Sequence, residues 1–176
     1  ASMILATVGS GAAPRQVLSD ETKVTIRGVP DRPGMAAGIF APLADAGVVV
    51  DMILQNIGAD GFADLSFTVP KTDAERVPKI LDPLLADMHA KTVLVDNTLA
   101  KISIVGTGMR THAGVAARMF KTLAEAGINI YMISTSEIKV SAMIDAKYAE
   151  LAVRLLHEAF NLGKAPKKQG KARGGK

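Results

Sequence analysis

The chain of 176 residues contains no cysteine and no tryptophan, and aromatic residues make up only 4% of it. The absence of cysteine excludes a disulfide scaffold, thiolate metal sites and a cysteine nucleophile, and it fits a reducing, cytoplasmic compartment. No apolar run approaches the roughly 18 residues that a membrane-spanning helix needs, and no cleavable signal pattern opens the chain. We therefore expect a soluble protein whose cores are built from Val, Ile, Leu, Met and Ala.

Signatures of catalysis are also missing. Gly106-Thr107-Gly108 follows a predicted strand, but Thr111 stands where a third glycine would complete the dinucleotide-binding fingerprint. The three histidines, His89, His112 and His157, are scattered, so no pair has metal-ligand spacing. We predict no catalytic residues, no cofactor and no metal for this chain.

The net charge of +4 comes from one end of the chain. Residues 163–176 carry six of the 21 basic residues and no acidic residue, which leaves 15 basic against 17 acidic residues elsewhere. A Gly- and Lys-rich segment cannot bury a core, so we predict that residues 161–176 form a disordered basic tail. Such a tail is more often solvated than bound to nucleic acid.

An internal repeat determines the predicted architecture. Residues 33–53 align with residues 113–133 at a constant offset of 80 without gaps, and ten of the 21 positions are identical. Chance does not produce such agreement, so the chain contains a duplicated module.

Each copy has the pattern of a small α+β unit. In the first, polar and apolar residues alternate along Lys23–Val29, which predicts a strand. Met35, Ile39 and Leu43 then form one apolar face of a predicted helix, and Gly47 ends this helix as its C-terminal cap. Further strands are predicted at Val48–Ile57, Phe62–Val69 and Lys91–Asp96, and Thr72 is predicted to cap a second helix. This order is βαββαβ, the ferredoxin-like plan.

The second copy lacks a fourth strand after its last helix, whereas Met3–Val8 is an apolar run with no partner in the first module. We therefore predict that the N-terminal strand completes the second sheet and that the first module is inserted into the second. The predicted boundaries are 21–97 for the first module and 3–20 plus 98–160 for the second.

Four segments carry a resemblance to a known family: KVTIRGVPDRPGMAAGIFAPLADAG, VDMILQNIG, LAKISIVGTGMRTHAGVAARMF and INIYMISTSEIKVS. They resemble the regulatory region of aspartate kinases, which consists of two tandem ACT modules. The resemblance implies binding of threonine, alone or in concert with lysine, and feedback inhibition in the aspartate pathway that leads to lysine and threonine. It also implies a catalytic α subunit as partner, and we expect a homodimer when the chain is alone. Nothing resembles the catalytic half, so the chain corresponds to a separate β subunit or to an excised regulatory half, and Met3 favours the former.

The turn around Asp31 and Gly34 is the first candidate effector site. The helix that begins near Gly34 presents backbone N–H groups suited to a carboxylate, and glycine lets a ligand approach the backbone. Asp31 could accept from an ammonium group or a hydroxyl, or could cap the helix instead. The resemblance implies that this turn, with Met35 and Ala36, lines the effector site.

The second strand adds further candidates. Because neighbouring strand residues point to opposite faces, at most one of Gln55 and Asn56 can face the turn, and the resemblance favours Gln55. It also implies contacts from the Asn129 amide and the Ile130 backbone of the opposing module. There are structural alternatives for both residues. Gln55 could lie at a strand end that faces water, and Asn129 could be a turn residue after Gly127.

The corresponding turn of the second module differs. Thr111, His112 and Gly114 occupy it without the aspartate and proline of the first, which argues against two identical sites. Ser134 and Ser136 could contact the effector or the other module, or could belong to a simple polar turn. Two other functions stay open: a ferredoxin-like nucleic-acid-binding module, which the scarcity of aromatics disfavours, and an ACT regulator of a different enzyme.

Overall fold

The computed structural model of the protein describes residues 15–87, 90–106 and 114–160. Within these ranges the chain forms strands and α-helices in two modules. The strands are β1 (Arg15–Ser19), β2 (Glu21–Pro30), β3 (Ile53–Ile57), β4 (Phe62–Pro70), β5 (Thr92–Asp96), β6 (Leu99–Val105), β7 (Met132–Thr135) and β8 (Lys139–Asp145). The helices are α1 (Met35–Asp45), α2 (Arg76–Asp87), α3 (Val115–Glu125) and α4 (Ala149–Ala159).

The first module is an antiparallel sheet in the order β3-β4-β2-β5, with α1 and α2 packed on one face. Val24 and Ile26 of β2 are fully buried, as the alternating pattern of this strand predicts. Phe67 of β4 meets Phe40 of α1 edge to face, with ring centroids 5.3 Å apart. The apolar faces of the two helices and the inner face of the sheet therefore share one core.

The second module repeats this plan with β1-β6-β8-β7 and the helices α3 and α4. β1 precedes the whole first module in the chain, yet it pairs antiparallel with β6, from Arg15 opposite Val105 to Ser19 opposite Lys101. The fold class predicted from the repeat is confirmed: two ferredoxin-like modules, the first inserted into the second, whose sheet an N-terminal strand completes.

The position of that N-terminal strand differs from the prediction. The strand that completes the second sheet is β1, Arg15–Ser19, whereas Met3–Val8 was expected to do so and lies outside the described residues, as does the predicted tail at 161–176. Only Asp20 separates β1 from β2, so the chain passes directly from one sheet into the other. Met3–Val8 is longer and more apolar than Arg15–Ser19, and the sequence prediction therefore chose it as the strand.

Three other element starts differ from the prediction by three residues or more. β3 begins at Ile53 rather than Val48. In the second copy, the sequence predicts the corresponding strand at Ile128–Ser134, but β7 begins at Met132. Val48 and Ile128 are instead buried anchors between the helix and the strand. Gly47 precedes this anchor with a left-handed backbone and ends α1 as predicted. Thr72 lies in a short 3-10 turn, and α2 starts four residues later, at Arg76.

Candidate ligand-binding site

A cavity of about 470 Å³ lies where β2 ends and α1 begins. Its wall combines the turn, the start of α1, one residue of β3 and two residues of β4. The lining residues are Val29, Pro30, Asp31, Arg32, Pro33, Gly34, Met35, Ala36, Gln55, Ala63 and Leu65. The structure thus brings together five of the residues singled out from the sequence: Asp31, Gly34, Met35, Ala36 and Gln55.

The turn is held by backbone hydrogen bonds. The Asp31 amide donates to the Gly61 carbonyl at 2.9 Å, and the Arg32 amide donates to the Pro30 carbonyl at 3.0 Å. Gly34 adopts φ 92°, in the left-handed region that favours glycine, and it is the N-terminal cap of α1. Within the part of the chain that the structure describes, and apart from its chain neighbours, no heavy atom would lie within 4 Å of a Cβ added at Gly34, so the space above this residue is open to a ligand.

The N-terminus of α1 is suited to an anion. No side chain caps it, and no acidic residue lies in its first turn, so Asp31 does not act as the helix cap that the sequence left open. The first N–H groups of a helix lack partners within the helix and carry the positive end of its dipole. The Met35 N–H donates to the Arg32 carbonyl at 3.4 Å, so a carboxylate placed over the start of α1 would have to share or replace this long hydrogen bond.

Gln55 reaches the cavity from β3. It pairs with Leu65 of β4 in the ladder, and both residues line the cavity. The neighbouring Asn56 lines a different groove, together with Thr25 and Leu94. This arrangement follows from the alternation of side chains along a strand.

The remaining lining residues give the cavity an apolar floor beside charged groups. Val29, Ala63 and Leu65 are buried, whereas Asp31 and Arg32 are exposed. Arg32 Nε lies 3.4 Å from Met35 Sδ across the rim. A site with one carboxylate, one guanidinium, one amide and an apolar floor has groups complementary to a small zwitterion.

Sequence reasoning missed Arg32, Ala63 and Leu65. Arg32 stands between two predicted site residues, and its charge was a sufficient signal. Ala63 and Leu65 lie two residues apart on β4, and the strand register was needed to place Leu65 opposite Gln55 and Ala63 opposite Ile57.

The candidates in the second module lie apart from this cavity. Asn129 is exposed and Ile130 packs partly against the core of the second module; neither lines the cavity. Ser134 lies opposite Ser141 in the ladder between β7 and β8, while the Ser136 amide donates to the Lys139 carbonyl at 2.7 Å in the turn between them. Ser136 thus has the contacts of a polar turn residue.

The turn that opens α3 is described only in part. Gly114 has φ 95° and caps α3 as Gly34 caps α1, whereas Thr111 and His112 lie outside the described residues. Among the described residues there is no group of three or more potential metal ligands, and no helix is long and apolar enough to cross a membrane.

An ionic cluster joins the two modules. The Lys101 ammonium of β6 contacts the carboxylates of Glu21 and Asp51, and Lys139 Nζ lies 3.5 Å from Asp51 Oδ1. Lys101 and Glu21 are buried, with 7% and 8% of their surface exposed, and Asp51 is partly exposed. Beside them lies an apolar cluster of Met52, Leu99, Met132 and Met143.

Asp51 and Lys101 each favour the charged form of the other. Burial raises the pKa of the Asp51 carboxyl, but the hydrogen bond from Lys101 and the charges of Lys101 and Lys139 outweigh it, so its pKa lies below the usual value. Burial lowers the pKa of the Lys101 ammonium, but hydrogen bonds to Asp51 and Glu21 and their charges raise it overall. Glu21 and Lys101 stand 80 residues apart, so the repeat places opposite charges at equivalent positions.

Comparison with known proteins agrees with the repeat. Residues 24–86 and residues 102–160 each match a family described as the ACT domain. Over 143 residues the chain is 55% identical to an aspartate kinase of Stutzerimonas stutzeri, covering 81% of this chain and 35% of that protein. Over 151 residues it is 55% identical to an aspartokinase of Pseudomonas aeruginosa, covering 86% of this chain and 36% of that protein. The chain thus spans about a third of the length of these relatives.

Two chains of solved structures match this protein over nearly their own full length. In a crystal structure of aspartokinase alpha and beta subunits, one chain superimposes with a TM-score of 0.77 at 51% identity, and the match covers 84% of this chain and 97% of that one. The ligand-free regulatory subunit of aspartate kinase from Thermus thermophilus gives a TM-score of 0.77 at 40% identity, covering 82% and 96%.

Proposed function

Because this chain belongs to the aspartate kinase family, in which it matches the regulatory region built from two ACT domains, we propose that it is a non-catalytic sensor of L-threonine. Threonine, alone or in concert with L-lysine, binds in the cavity at the turn between β2 and α1 and inhibits aspartate kinase by feedback. The observation that supports this proposal is that the N-terminus of α1, which no side chain caps, lies at one cavity together with Asp31 and Gln55.

Each part of the cavity has a partner in a small hydroxylated amino acid. The carboxylate meets the N–H groups at the start of α1, and Asp31 accepts from the ammonium group. Gln55 has both a donor and an acceptor for the hydroxyl, while Val29 and Leu65 contact the methyl group. Aspartate kinase activity and its substrates belong to the catalytic α subunit, which we propose as the partner in a cytoplasmic complex.

We further propose that the site is completed in a homodimer. β3 is an edge strand whose residues are all exposed, including the apolar Ile53 and Ile57. An exposed apolar edge favours pairing with another chain. In such a dimer, Asn129 and Ile130 of the second module would close the cavity of the other copy, with Ser134, Gly114, Thr111 and His112 as further candidates at the interface.

Isothermal titration of the purified chain with L-threonine tests the proposal, with L-lysine and L-isoleucine titrated in parallel. We expect saturable threonine binding, and a loss of about 10- to 100-fold in affinity for Asp31→Ala, because a hydrogen bond to a charged group is removed. Gln55→Ala should also weaken binding. The matched control is Asn56→Ala, which changes the next residue on the opposite face and should leave the affinity unchanged.

The controls separate the outcomes. Equal loss in Asn56→Ala and Gln55→Ala would mean that β3 acts through its stability rather than through the cavity. Saturable binding of isoleucine but not threonine would assign the chain a different effector. No binding of any of the three amino acids would rule out an autonomous sensor.

A further inference from the structure

Lys101 belongs to the second module, yet both of its acidic partners belong to the first. We call the contact formed by Glu21, Asp51, Lys101 and Lys139 the seam between the modules. Glu21 is the first residue of β2, and Asp51 lies two residues before β3. The ammonium group of the second module therefore contacts the first module at the beginning of two different strands.

Those two strands are the ones that carry the walls of the cavity. β2 runs from Glu21 at the seam to Val29 and Pro30 at the cavity, and β3 runs from the seam to Gln55. Each strand thus has one end at the ionic cluster and a cavity residue further along. A shift of either strand at the seam would move a wall of the cavity.

The two ends are connected through β4, which lies between β3 and β2 and is hydrogen-bonded to both. Its pairing with β3 is continuous from Ile53 to Ile57, whereas its pairing with β2 shifts register between Ile26 and Val29. The path from the ionic cluster to the cavity is therefore most direct along β3. Next to the cluster, Thr68 of β4 is hydrogen-bonded to the two residues that precede β3. The Asp51 amide donates to the Thr68 carbonyl at 3.1 Å, and the Thr68 amide donates to the Met52 carbonyl at 3.0 Å. The Met52 amide also donates to Thr68 Oγ1 at 3.2 Å.

We propose that Lys101 is a positioning residue for the cavity of the first module, holding β2 and β3 in register with the second module so that Gln55 and the turn face each other. The proposal rests on the proposed function of the cavity as an amino-acid site. Lys101 does not line the cavity; it acts through Glu21 and Asp51. The arrangement of the modules and the shape of the cavity are then linked, so binding at the cavity is coupled to the module arrangement that a partner would sense.

The experiment compares the full-length chain with four variants. Lys101→Met removes the cation, and Lys101→Arg keeps the charge as a conservative rescue. Asp51→Asn cuts only the link to β3 at a partly exposed position, which keeps the experiment interpretable if Lys101→Met does not fold. Asp145→Asn is the control, because it breaks an ion pair with Lys147 that lies on the same module as Lys101 but outside the ionic cluster.

Two readouts are needed. The first is the amide spectrum of the free, isotope-labelled protein, in which we expect the resonances of Gln55 and Gly34 to move in Asp51→Asn and Lys101→Met and to return in Lys101→Arg. The second is calorimetric affinity for L-threonine, which should fall by at least about fivefold in Asp51→Asn, the lower end of typical coupling between sites. Asp145→Asn should change neither readout.

The first readout does not require a ligand, so it separates this inference from the proposed function. If the wild-type chain binds no threonine but the Gln55 and Gly34 resonances still move, the positioning role holds and the proposed effector is wrong. If spectral changes stay within the residues around Lys101 while thermal stability falls, Lys101 is merely structural and the inference is overturned. Unchanged threonine affinity in a folded Asp51→Asn variant would also overturn it.

Discussion

Gly34 and Gly114 occupy the same position in the two repeats, and each begins a helix with a left-handed backbone, at φ 92° and 95°. At both positions an added Cβ would meet no heavy atom within 4 Å among the described residues beyond its chain neighbours. A side chain there is therefore costly because of the backbone conformation and not because of crowding. The difference between the two sites lies in what surrounds them, since only the turn at Gly34 forms part of the described cavity.

This pair provides a test of the site with an internal control. We expect Gly34→Ala and Gly114→Ala each to lower the free energy of unfolding by about 1–2 kcal/mol, the cost of a left-handed backbone for an L-residue. Gly34→Ala should also weaken threonine binding, and by more than Gly114→Ala, because only the methyl group at Gly34 enters the space above the start of α1. Thermal unfolding and calorimetry measure the two effects. Equal affinities in the two variants would contradict a site at Gly34.

The candidate site could be predicted from the sequence only in part. The spacing of Asp31, Pro33 and Gly34 indicated a turn followed by a helix N-terminus, which is local information. Gln55 was joined to this turn by the family resemblance, since its distance from Asp31 depends on strand pairing. Leu65 was missed for the same reason: its place opposite Gln55 depends on the register of β3 and β4.

At the scale of elements, β3 is the least covered part of the first sheet. All five of its residues are exposed, and Ile53 and Ile57 remain 54% and 58% exposed. β5, the other edge of this sheet, also exposes Leu94 and Val95. The proposed homodimer places β3, rather than β5, at the interface, because β3 carries Gln55.

A charge on β3 tests this placement. Ile53→Lys should convert the dimer to a monomer, since a buried unpaired ammonium group is costly at an apolar interface. Sedimentation velocity at several concentrations measures the state. Ile138→Lys is the control: Ile138 is equally exposed, at 54%, but lies in the turn before β8. If Ile53→Lys remains dimeric, the interface lies elsewhere.

The order of the elements could be predicted because each sequence pattern occurs twice, so a weak strand pattern in one copy was supported by its equivalent in the other. The predicted first and last residues of the elements were less accurate. Val48 and Ile128 are apolar residues that extend the predicted strands, but their side chains anchor the preceding helices instead. Polar-apolar alternation cannot distinguish these two ways of burying a side chain.

At the scale of the whole molecule, the repeat gave two modules but no information on their contact. The seam depends on departures from the repeat: position 21 is acidic and position 101 is basic. Met52 and Met132, which are identical between the copies, meet in the apolar cluster beside this pair. Conserved positions of the repeat thus form the apolar contact, whereas a diverged position forms the ionic one.

The ionic contact predicts how stability depends on acid. Because the pKa of Asp51 is lower in the folded protein than its ordinary value of about 3.9, the ion pair stabilises the folded state above that value, and the stabilisation is lost as the pH falls through the folded pKa. Urea unfolding of the wild type and Asp51→Asn, followed by circular dichroism, should show a constant stability difference between about pH 5 and 7 that shrinks below about pH 4. Because Asp51 is partly exposed, 1 M salt should reduce the difference at neutral pH. A difference that stays unchanged down to pH 3 would show that Asp51 stabilises the seam by packing, and Lys101 would then hold the first module through Glu21 alone.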